Sequence, residues 1–308
     1  MEIKELQDRV RRLVKERNAV LLAHNYQRAE IQEIADLTGD SYELSVKASK
    51  TDADVIVFCG VRFMAESAKI LSPGKTVLLP HAQAGCPMAD MITADELQKM
   101  KALHPGAYVV SYVNTNADVK ALSDVCCTSS NAVAIVEAAP ADTVIFVPDK
   151  NLGSYVKGFV DKEMVIWNGY CPTHHHVYPE EISALKQKHP DAPFLCHPEC
   201  RPEVVRLADV VTSTSGIIRF AKQDPHRKFI IGTEEGILYH LRRNSPDKEF
   251  ILASSGFICP NMKRTRLEDV VLSLEKNRHE ITLSPEIIEK ARLPLERMIR
   301  MSAAALQK

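Results

Sequence analysis

The sequence predicts an α/β protein built of three related units. Each unit is a three-layer α/β/α sandwich with a parallel sheet, and the three are arranged with pseudo-threefold symmetry around a central cavity. Short apolar segments alternate with helical segments along the chain, a pattern typical of parallel sheets with right-handed crossovers. Three Cys-Pro pairs recur 85 and 88 residues apart. In each unit a hydroxyl residue also lies 17 residues beyond an aromatic or histidine residue of the first strand, from His24 to Ser41, Tyr112 to Ser129 and His197 to Thr214.

The elements of each unit follow one another in the same order. The first 18 residues form an amphipathic pattern and predict a helix. The predicted opening strands are 19–26, 108–115 and 193–200, and hydroxyl-rich turns follow at 35–41, 123–129 and 208–214. The second strands are predicted at 55–60, 144–149 and 229–234. The third strands are predicted at 76–80, 164–168 and 249–253. A closing helix should begin at Pro285 with Ser284 as its N-cap. We expect unit boundaries at 1–105, 106–190 and 191–308.

Composition favours a partner that is a small molecule. The 308 residues include 39 basic and 40 acidic side chains, giving a formal charge of -1, so no global field favours nucleic acid or a membrane surface. The N-terminus lacks the apolar core of a signal peptide, and no apolar run approaches the roughly 20 residues of a membrane span. We therefore expect a cytoplasmic protein. In that compartment eight cysteines indicate metal binding or catalysis before disulfides.

The three cysteines that precede proline are candidate metal ligands. Cys86, Cys171 and Cys259 share a signature and a common phase in the repeat. A structural zinc site normally has four ligands in close pairs such as C-x-x-C, and the sequence has no such pair. Three thiolates instead suit an iron–sulfur cluster whose fourth iron can bind water or substrate. Four other cysteines are expected to be small hydrophobic residues of the core; they are Cys59, Cys126, Cys127 and Cys196. Cys200 fits either a core role or a role at the site.

Two further sets of residues recur near the predicted strand ends. Ser41, Ser129 and Thr214 each precede a helical segment; they are either simple N-caps or anion-binding groups at helix starts. Polar residues capable of proton transfer or carboxylate binding end the opening strands. These residues are His24, Tyr26, Tyr112, Asn114, His197 and Glu199. His174, three residues after Cys171, is near the candidate metal site by sequence, whereas His175 and His176 are expected to be solvated or to lie behind the site.

The order of motifs along the whole chain resembles that of the quinolinate synthase A family. The motifs are A-H-N-Y, G-D-S, C-P-M, Y-V-N-T, C-T-S-S-N-A, P-D-K-N-L-G, C-P-T-H, H-P-E-C, S-T-S-G, I-G-T-E and C-P-N-M. The resemblance implies three pseudo-symmetric α/β/α domains around a [4Fe-4S] cluster with three cysteine ligands. It also implies condensation of iminoaspartate with dihydroxyacetone phosphate to quinolinate, phosphate and water, on the route to NAD. An L-aspartate oxidase would supply the imine.

The resemblance also implies roles for individual residues. Cys86, Cys171 and Cys259 become the cluster ligands, and Tyr26, His197 and Glu199 the candidates for catalysis. A larger set of residues is implied to bind the carboxylates or the phosphate of the substrates. These residues are His24, Ser41, Tyr112, Asn114, Ser129, His174, His197, Glu199 and Thr214. Some members of the family carry a C-terminal C-x-x-C-x-x-C run, of which this chain has only Cys259.

Two other functions remain open at the level of sequence. One is an iron–sulfur protein that carries electrons or senses oxidants, and a fourth ligand such as Cys200 or His174 would favour it. The other is a non-enzymatic scaffold whose cysteines all belong to the core.

Overall fold

Three four-stranded parallel sheets organise the computed structural model, which describes residues 2–305. The first sheet contains β1 (Ala19–His24), β2 (Leu37–Gly39), β3 (Val55–Cys59) and β4 (Thr76–Leu78). The second contains β5 (Tyr108–Tyr112), β6 (Val125–Cys127), β7 (Thr143–Val147) and β8 (Glu163–Ile166). The third contains β9 (Phe194–Cys196), β10 (Val210–Val211), β11 (Lys228–Gly232) and β12 (Glu249–Leu252).

Fifteen α-helices connect and cover these strands in the described part of the chain. They are α1 (Ile3–Glu16), α2 (Ala29–Gln32), α3 (Ser41–Lys50), α4 (Arg62–Leu71), α5 (Ala94–Leu103), α6 (Ala117–Lys120), α7 (Ala132–Glu137), α8 (Lys150–Lys157), α9 (Pro172–His175), α10 (Pro179–Lys188), α11 (Pro202–Val205), α12 (Thr214–Gln223), α13 (Ile237–Asn244), α14 (Leu267–Lys276) and α15 (Pro285–Ala305). A 3-10 turn occupies Ala89–Met91.

Every sheet has the same strand order, in which the opening strand lies second and its two partners flank it. All the pairings between these strands are parallel. The central strands are continuous apolar runs because helices cover both sheet faces; β3, for example, is buried along its whole length. The predicted fold class, α/β with three parallel-sheet units, is confirmed.

The prediction of three strands per unit was wrong, because each hydroxyl-rich turn contains a fourth, short edge strand. These strands, β2, β6 and β10, are only two or three residues long, too short to show periodicity in the sequence. An aspartate placed just before each of them accepts a hydrogen bond from a backbone N–H at the start of the opening strand. The pairs are Asp36 with Leu21 (2.7 Å), Asp124 with Val109 (2.8 Å) and Asp209 with Phe194 (2.7 Å).

The C-terminal part of the chain returns to the first two sheets. Helix α14 packs against α1 and β3, sharing one apolar cluster with them, and Glu280 forms an antiparallel bridge with Leu78 at the edge of the first sheet. Helix α15 packs against α4, α6 and β6, and the Ser284 hydroxyl accepts the Ile287 N–H at 3.3 Å. The predicted closing helix and its cap are therefore confirmed, whereas the unit boundaries at 105 and 190 stay predictions.

None of the helices in the described residues is both long enough and apolar enough to cross a membrane.

Candidate functional site

A central cavity of about 130 Å³ lies where the carboxyl ends of the three sheets meet. Ligand sites of parallel α/β proteins lie at these strand ends, since the crossover loops converge there. Every residue proposed from the sequence lines the cavity. They are His24, Tyr26, Ser41, Cys86, Tyr112, Asn114, Ser129, Cys171, His174, His197, Glu199, Thr214 and Cys259.

The three Cys-Pro sequences form the same local structure. In each, the main chain turns immediately after the cysteine, whose carbonyl accepts an N–H from three or four residues further on. Proline suits the first position of such a turn because no N–H is needed there. The thiol then faces the N–H of the third residue after it, which is Ala89 for Cys86, His174 for Cys171 and Met262 for Cys259.

The thiols of this cavity fit an iron–sulfur cluster. All three are free and only partly buried, whereas the other five cysteines are free and fully buried. Burial raises the pKa of Cys86 to about 12, and it raises the pKa of Cys171 and Cys259 as well, with the neighbouring thiols adding to the effect at Cys86 and Cys171. Such thiols stay protonated while no cation is bound. Once a metal replaces the proton, the N–H groups that face each sulfur stabilise the thiolate.

Glu199 is the centre of the polar network in the cavity. Its Oε1 accepts a hydrogen bond of 2.6 Å from the Tyr112 hydroxyl, and its Oε2 lies 2.9 Å from His174 Nδ1. Burial favours the protonated acid, but the imidazoles of His174 and His197 and the hydrogen bond from Tyr112 outweigh it. They hold the pKa of Glu199 below its usual value. The carboxylate is therefore ionised and able to accept a proton.

A second chain of hydrogen bonds surrounds Tyr26. Its hydroxyl lies 2.5 Å from Thr233 Oγ1 and 2.9 Å from Thr214 Oγ1, and Thr233 Oγ1 lies 2.9 Å from His174 Nε2. Burial, reinforced by the charge of Glu199, raises the pKa of Tyr26 well above its usual value. Tyr26 is consequently a neutral phenol joined through Thr233 and His174 to the Glu199 carboxylate.

The two other cavity histidines are neutral bases. Burial lowers the pKa of His24 to about 3 and that of His197 to about 4. His197 Nε2 lies 3.1 Å from Ser129 Oγ, and His24 Nδ1 accepts the Tyr26 N–H at 3.1 Å. Both rings thus have a defined orientation toward the cavity without carrying charge.

The repeated hydroxyls are not N-caps. Helix α3 is capped by Asp40 and α12 by Ser213, each one residue earlier than the repeated hydroxyl, whereas Ser129 precedes the Asn131 N-cap of α7. The side chains of Ser41 and Ser129 are left at helix starts facing the cavity. Asn114 Oδ1 is buried and has no hydrogen-bond partner among residues 2–305. The serine hydroxyls and the N–H groups of a helix start can donate to an anion, whereas Asn114 Oδ1 is an acceptor and needs a donor.

Other histidines and cysteines of the sequence lie outside this arrangement. Cys200 is fully buried beside the Gly232 carbonyl and does not line the cavity. His175 stacks on Tyr170 and lies 3.1 Å from the Asn151 amide, while His176 is exposed. The core interpretation is correct for Cys59, Cys126, Cys127 and Cys196, which are all fully buried.

Sequence reasoning missed three residues of the site. Asp40 and Glu234 line the cavity, and Thr233 joins Tyr26 to His174. Thr233 and Glu234 directly follow β11, so the rule that found the polar ends of the opening strands could have found them. Asp40 immediately precedes Ser41, and its position before a helical segment identifies it as an N-cap.

Comparison with known proteins agrees with this site. The family model described as quinolinate synthetase A protein matches residues 8–300. The quinolinate synthase of Geotalea uraniireducens is 57% identical over 295 residues, covering 96% of this chain and 97% of the relative. That of Geobacter sp. is 58% identical over 294 residues, with coverage of 96% and 97%. That of Methanosarcina barkeri is 51% identical over 299 residues, with coverage of 97% and 98%. The chain therefore belongs to the quinolinate synthetase A family of enzymes.

Proposed function

We propose that the central cavity of this quinolinate synthase is where iminoaspartate condenses with dihydroxyacetone phosphate to give quinolinate, phosphate and water, a step of NAD biosynthesis. One observation carries the proposal: three partly exposed thiols and all the polar residues inferred from the sequence line one cavity. An electron carrier would need none of these polar groups around its cluster.

Cys86, Cys171 and Cys259 would hold the [4Fe-4S] cluster. When bound, such a cluster supplies an iron with an open coordination position that acts as a Lewis acid. Cys200 is fully buried outside the cavity. His174 lies against the Cys171 thiol, with Nδ1 3.2 Å from Sγ, but both of its ring nitrogens already have hydrogen-bond partners, Nδ1 in Glu199 and Nε2 in Thr233. We therefore propose three protein ligands.

The substrates bring two carboxylates and one phosphate, and the cavity offers neutral donors for them. Ser41, Ser129 and Thr214 present hydroxyls at or near the starts of α3, α7 and α12, where backbone N–H groups and the helix dipole favour anions. Asn114 offers an amide, and the rings of His24 and His197 complete the wall. We propose that these residues orient the substrates. The substrates then lose their translational and rotational freedom on binding and not in the chemical step, which lowers the barrier to joining the reacting carbons.

Proton transfer falls to the network around Glu199. The ionised carboxylate accepts a proton from the condensing carbon skeleton, and Tyr112, bound to the same carboxylate, stabilises it. Tyr26 stays protonated and donates to a departing oxygen, with Thr233 and His174 as the path by which its proton is restored. His197 is a neutral base that orients Ser129.

Iminoaspartate is an unstable imine, so its source should be an enzyme that oxidises aspartate. We propose a functional link with an L-aspartate oxidase, based on this chemistry.

The test compares cysteine variants prepared without oxygen. Wild-type protein should contain iron and sulfide and should form quinolinate from dihydroxyacetone phosphate and imine generated in the assay. Cys86→Ala, Cys171→Ala and Cys259→Ala should each lose iron and activity, whereas Cys59→Ala, the matched control in the core, should lose only stability. Quinolinate formation that persists in any of the three ligand variants would disprove the proposal.

A further inference from the structure

Glu234 is a buried carboxylate next to the third candidate ligand. Its side chain is fully buried at the cavity wall, two residues beyond the end of β11. Oε1 accepts the backbone N–H of Cys259 at 3.1 Å, and Oε2 accepts the N–H of Gly236 at 2.7 Å. The carboxylate therefore fixes the main chain of the loop that presents the Cys259 thiol.

Lys263 completes an ion pair that reaches the first unit. Its ammonium lies 3.0 Å from Oε1 and 3.2 Å from Oε2 of Glu234, and it donates to the Tyr26 carbonyl at 2.8 Å. Only 14% of the Lys263 side chain is exposed. One ion pair thus joins the backbone of a cluster ligand to the backbone of the proposed proton donor.

The repeat shows that this pair is particular to the third unit. The residues two positions beyond β3, β7 and β11 are Val61, Asp149 and Glu234, and they precede their cysteines by 25, 22 and 25 residues. Val61 is apolar. Asp149 caps α8 through Oδ1 and faces the backbone N–H of Cys171, but no lysine or arginine of residues 2–305 forms an ion pair with it. No structural requirement of the fold therefore demands a charged pair at this position.

We propose that Glu234 and Lys263 are positioning residues that hold the Cys259 loop and Tyr26 together and balance the charge beside the cluster. The inference rests on the cluster of the proposed function. The reduction potential of an iron–sulfur cluster depends on net charge and hydrogen bonds around it. Breaking the pair from either side should therefore change the potential, and in opposite directions.

The direction of each change follows from the charge that remains. Glu234→Gln keeps an oxygen that can accept the Cys259 N–H but leaves Lys263 paired only with the partly exposed Glu235, whose Oε1 lies 3.7 Å away. The net charge beside the cluster becomes more positive, which favours the reduced, more negative cluster and raises the potential. Lys263→Met leaves the carboxylate unbalanced and lowers the potential. A role confined to packing would change the cluster content of both variants without shifts of opposite sign.

The experiment is an anaerobic redox titration of the cluster-loaded protein, followed by electron paramagnetic resonance. We expect a higher midpoint in Glu234→Gln, a lower one in Lys263→Met and a midpoint near that of wild type in Lys263→Arg, which keeps the charge. Lys248→Met is the matched control, since that lysine binds the Ala221 and Asp224 carbonyls of the third unit and does not line the cavity.

Equal midpoints in wild type and both charge-removing variants, or shifts in the same direction, would overturn the inference. If Glu234→Gln does not fold, the two Lys263 variants decide, and an unchanged midpoint in Lys263→Met overturns it. Wild-type protein that takes up no cluster would instead contradict the proposed function itself, so the two failures are distinguishable.

Discussion

The carboxylate of Glu199 has more polar partners in the cavity than a structural acid requires. The Tyr112 hydroxyl donates to the carboxylate at 2.6 Å, and the nearest ring nitrogens of His174 and His197 lie 2.9 and 3.8 Å from it. The main-chain carbonyl of Glu199 accepts a hydrogen bond from the Asn151 side-chain amide at 2.9 Å. Its geometry is therefore fixed on every side, so an isosteric substitution should change its proton affinity while leaving its position intact.

We predict that Glu199→Gln retains the cluster and lowers kcat for quinolinate formation at least about a hundredfold, the usual contribution of a positioned general base. Iron and sulfide analysis controls for the cluster, and product formation measures the effect. Turnover like that of wild type would remove Glu199 from proton transfer.

Burial of neutral His24 makes stability depend on pH. Its folded pKa is about 3, below the unfolded value of about 6.5. The stability that the neutral ring contributes is therefore fully present above pH 6.5 and is lost as the pH falls toward 3, because the unfolded chain binds the proton. At pH 5.5 the loss from one such histidine is about 1.4 kcal/mol.

The variant His24→Gln should accordingly lose less stability than wild type between pH 7.5 and 5.5, as measured by urea unfolding at both pH values. His176→Gln, which removes an exposed imidazole, is the control and should keep the wild-type difference. An unchanged pH dependence in His24→Gln would mean that the ring is not buried neutral.

At the scale of an element, the start of α3 is held by a capping box that also touches the third unit. Asp40 Oδ1 accepts the N–H groups of Tyr42 and Glu43 at 3.1 Å, and Glu43 Oε2 accepts the Ser215 hydroxyl at 2.6 Å. The box thus places Ser41 at the cavity and connects α3 to the first turn of α12.

Removing this cap should affect both stability and substrate binding. Asp40→Ala should cost about 1 kcal/mol and raise KM for dihydroxyacetone phosphate, because Ser41 loses its fixed position. Thr93→Ala removes the equivalent box of α5, formed with Glu96 away from the cavity. That control should lose similar stability with KM unchanged; equal KM values in the two variants would contradict the prediction.

At the scale of the whole molecule, the first and third units meet with little space between their main chains. A Cβ atom on Gly236, at the start of α13, would lie 2.7 Å from main-chain atoms of Tyr26. Neither backbone can move without shifting its sheet end, so only glycine fits where the first and third units touch beside the cavity.

Gly236→Ala should therefore destabilise the protein by about 1–3 kcal/mol and displace Tyr26, lowering activity. Thermal unfolding and quinolinate formation measure the two effects. Gly74→Ala is the control, because a Cβ there meets nothing within 4 Å, and it should match wild type. A Gly236→Ala variant as stable and active as this control would contradict the prediction, because it would show that the main chains at Gly236 and Tyr26 can move apart without cost.

Much of the site could be predicted because the units repeat. The offset from His24, Tyr112 and His197 to the hydroxyls is 17 residues in every unit, and the intervals from the hydroxyls to the cysteines are 45, 42 and 45. These residues therefore lie at equivalent strand ends, and parallel sheets bring such ends together. Thr233 and Glu234 were missed because the strand-end rule was applied only to the opening strands, and Asp40 was missed because its position before a helix indicates only an N-cap.

The sequence by itself determined the α/β fold class, the three cysteines and most of the polar residues of the cavity wall, because strand periodicity, proline after cysteine and a regular repeat are local properties of the chain. Only the tertiary structure decided the short edge strands, the return of α14 and α15 to the first two units, and the pairing of Glu234 with Lys263 and Tyr26. Those features depend on contacts between residues far apart in sequence. Such contacts are decided by how the folded chain brings side chains and main-chain groups together, and a local sequence pattern does not reveal them.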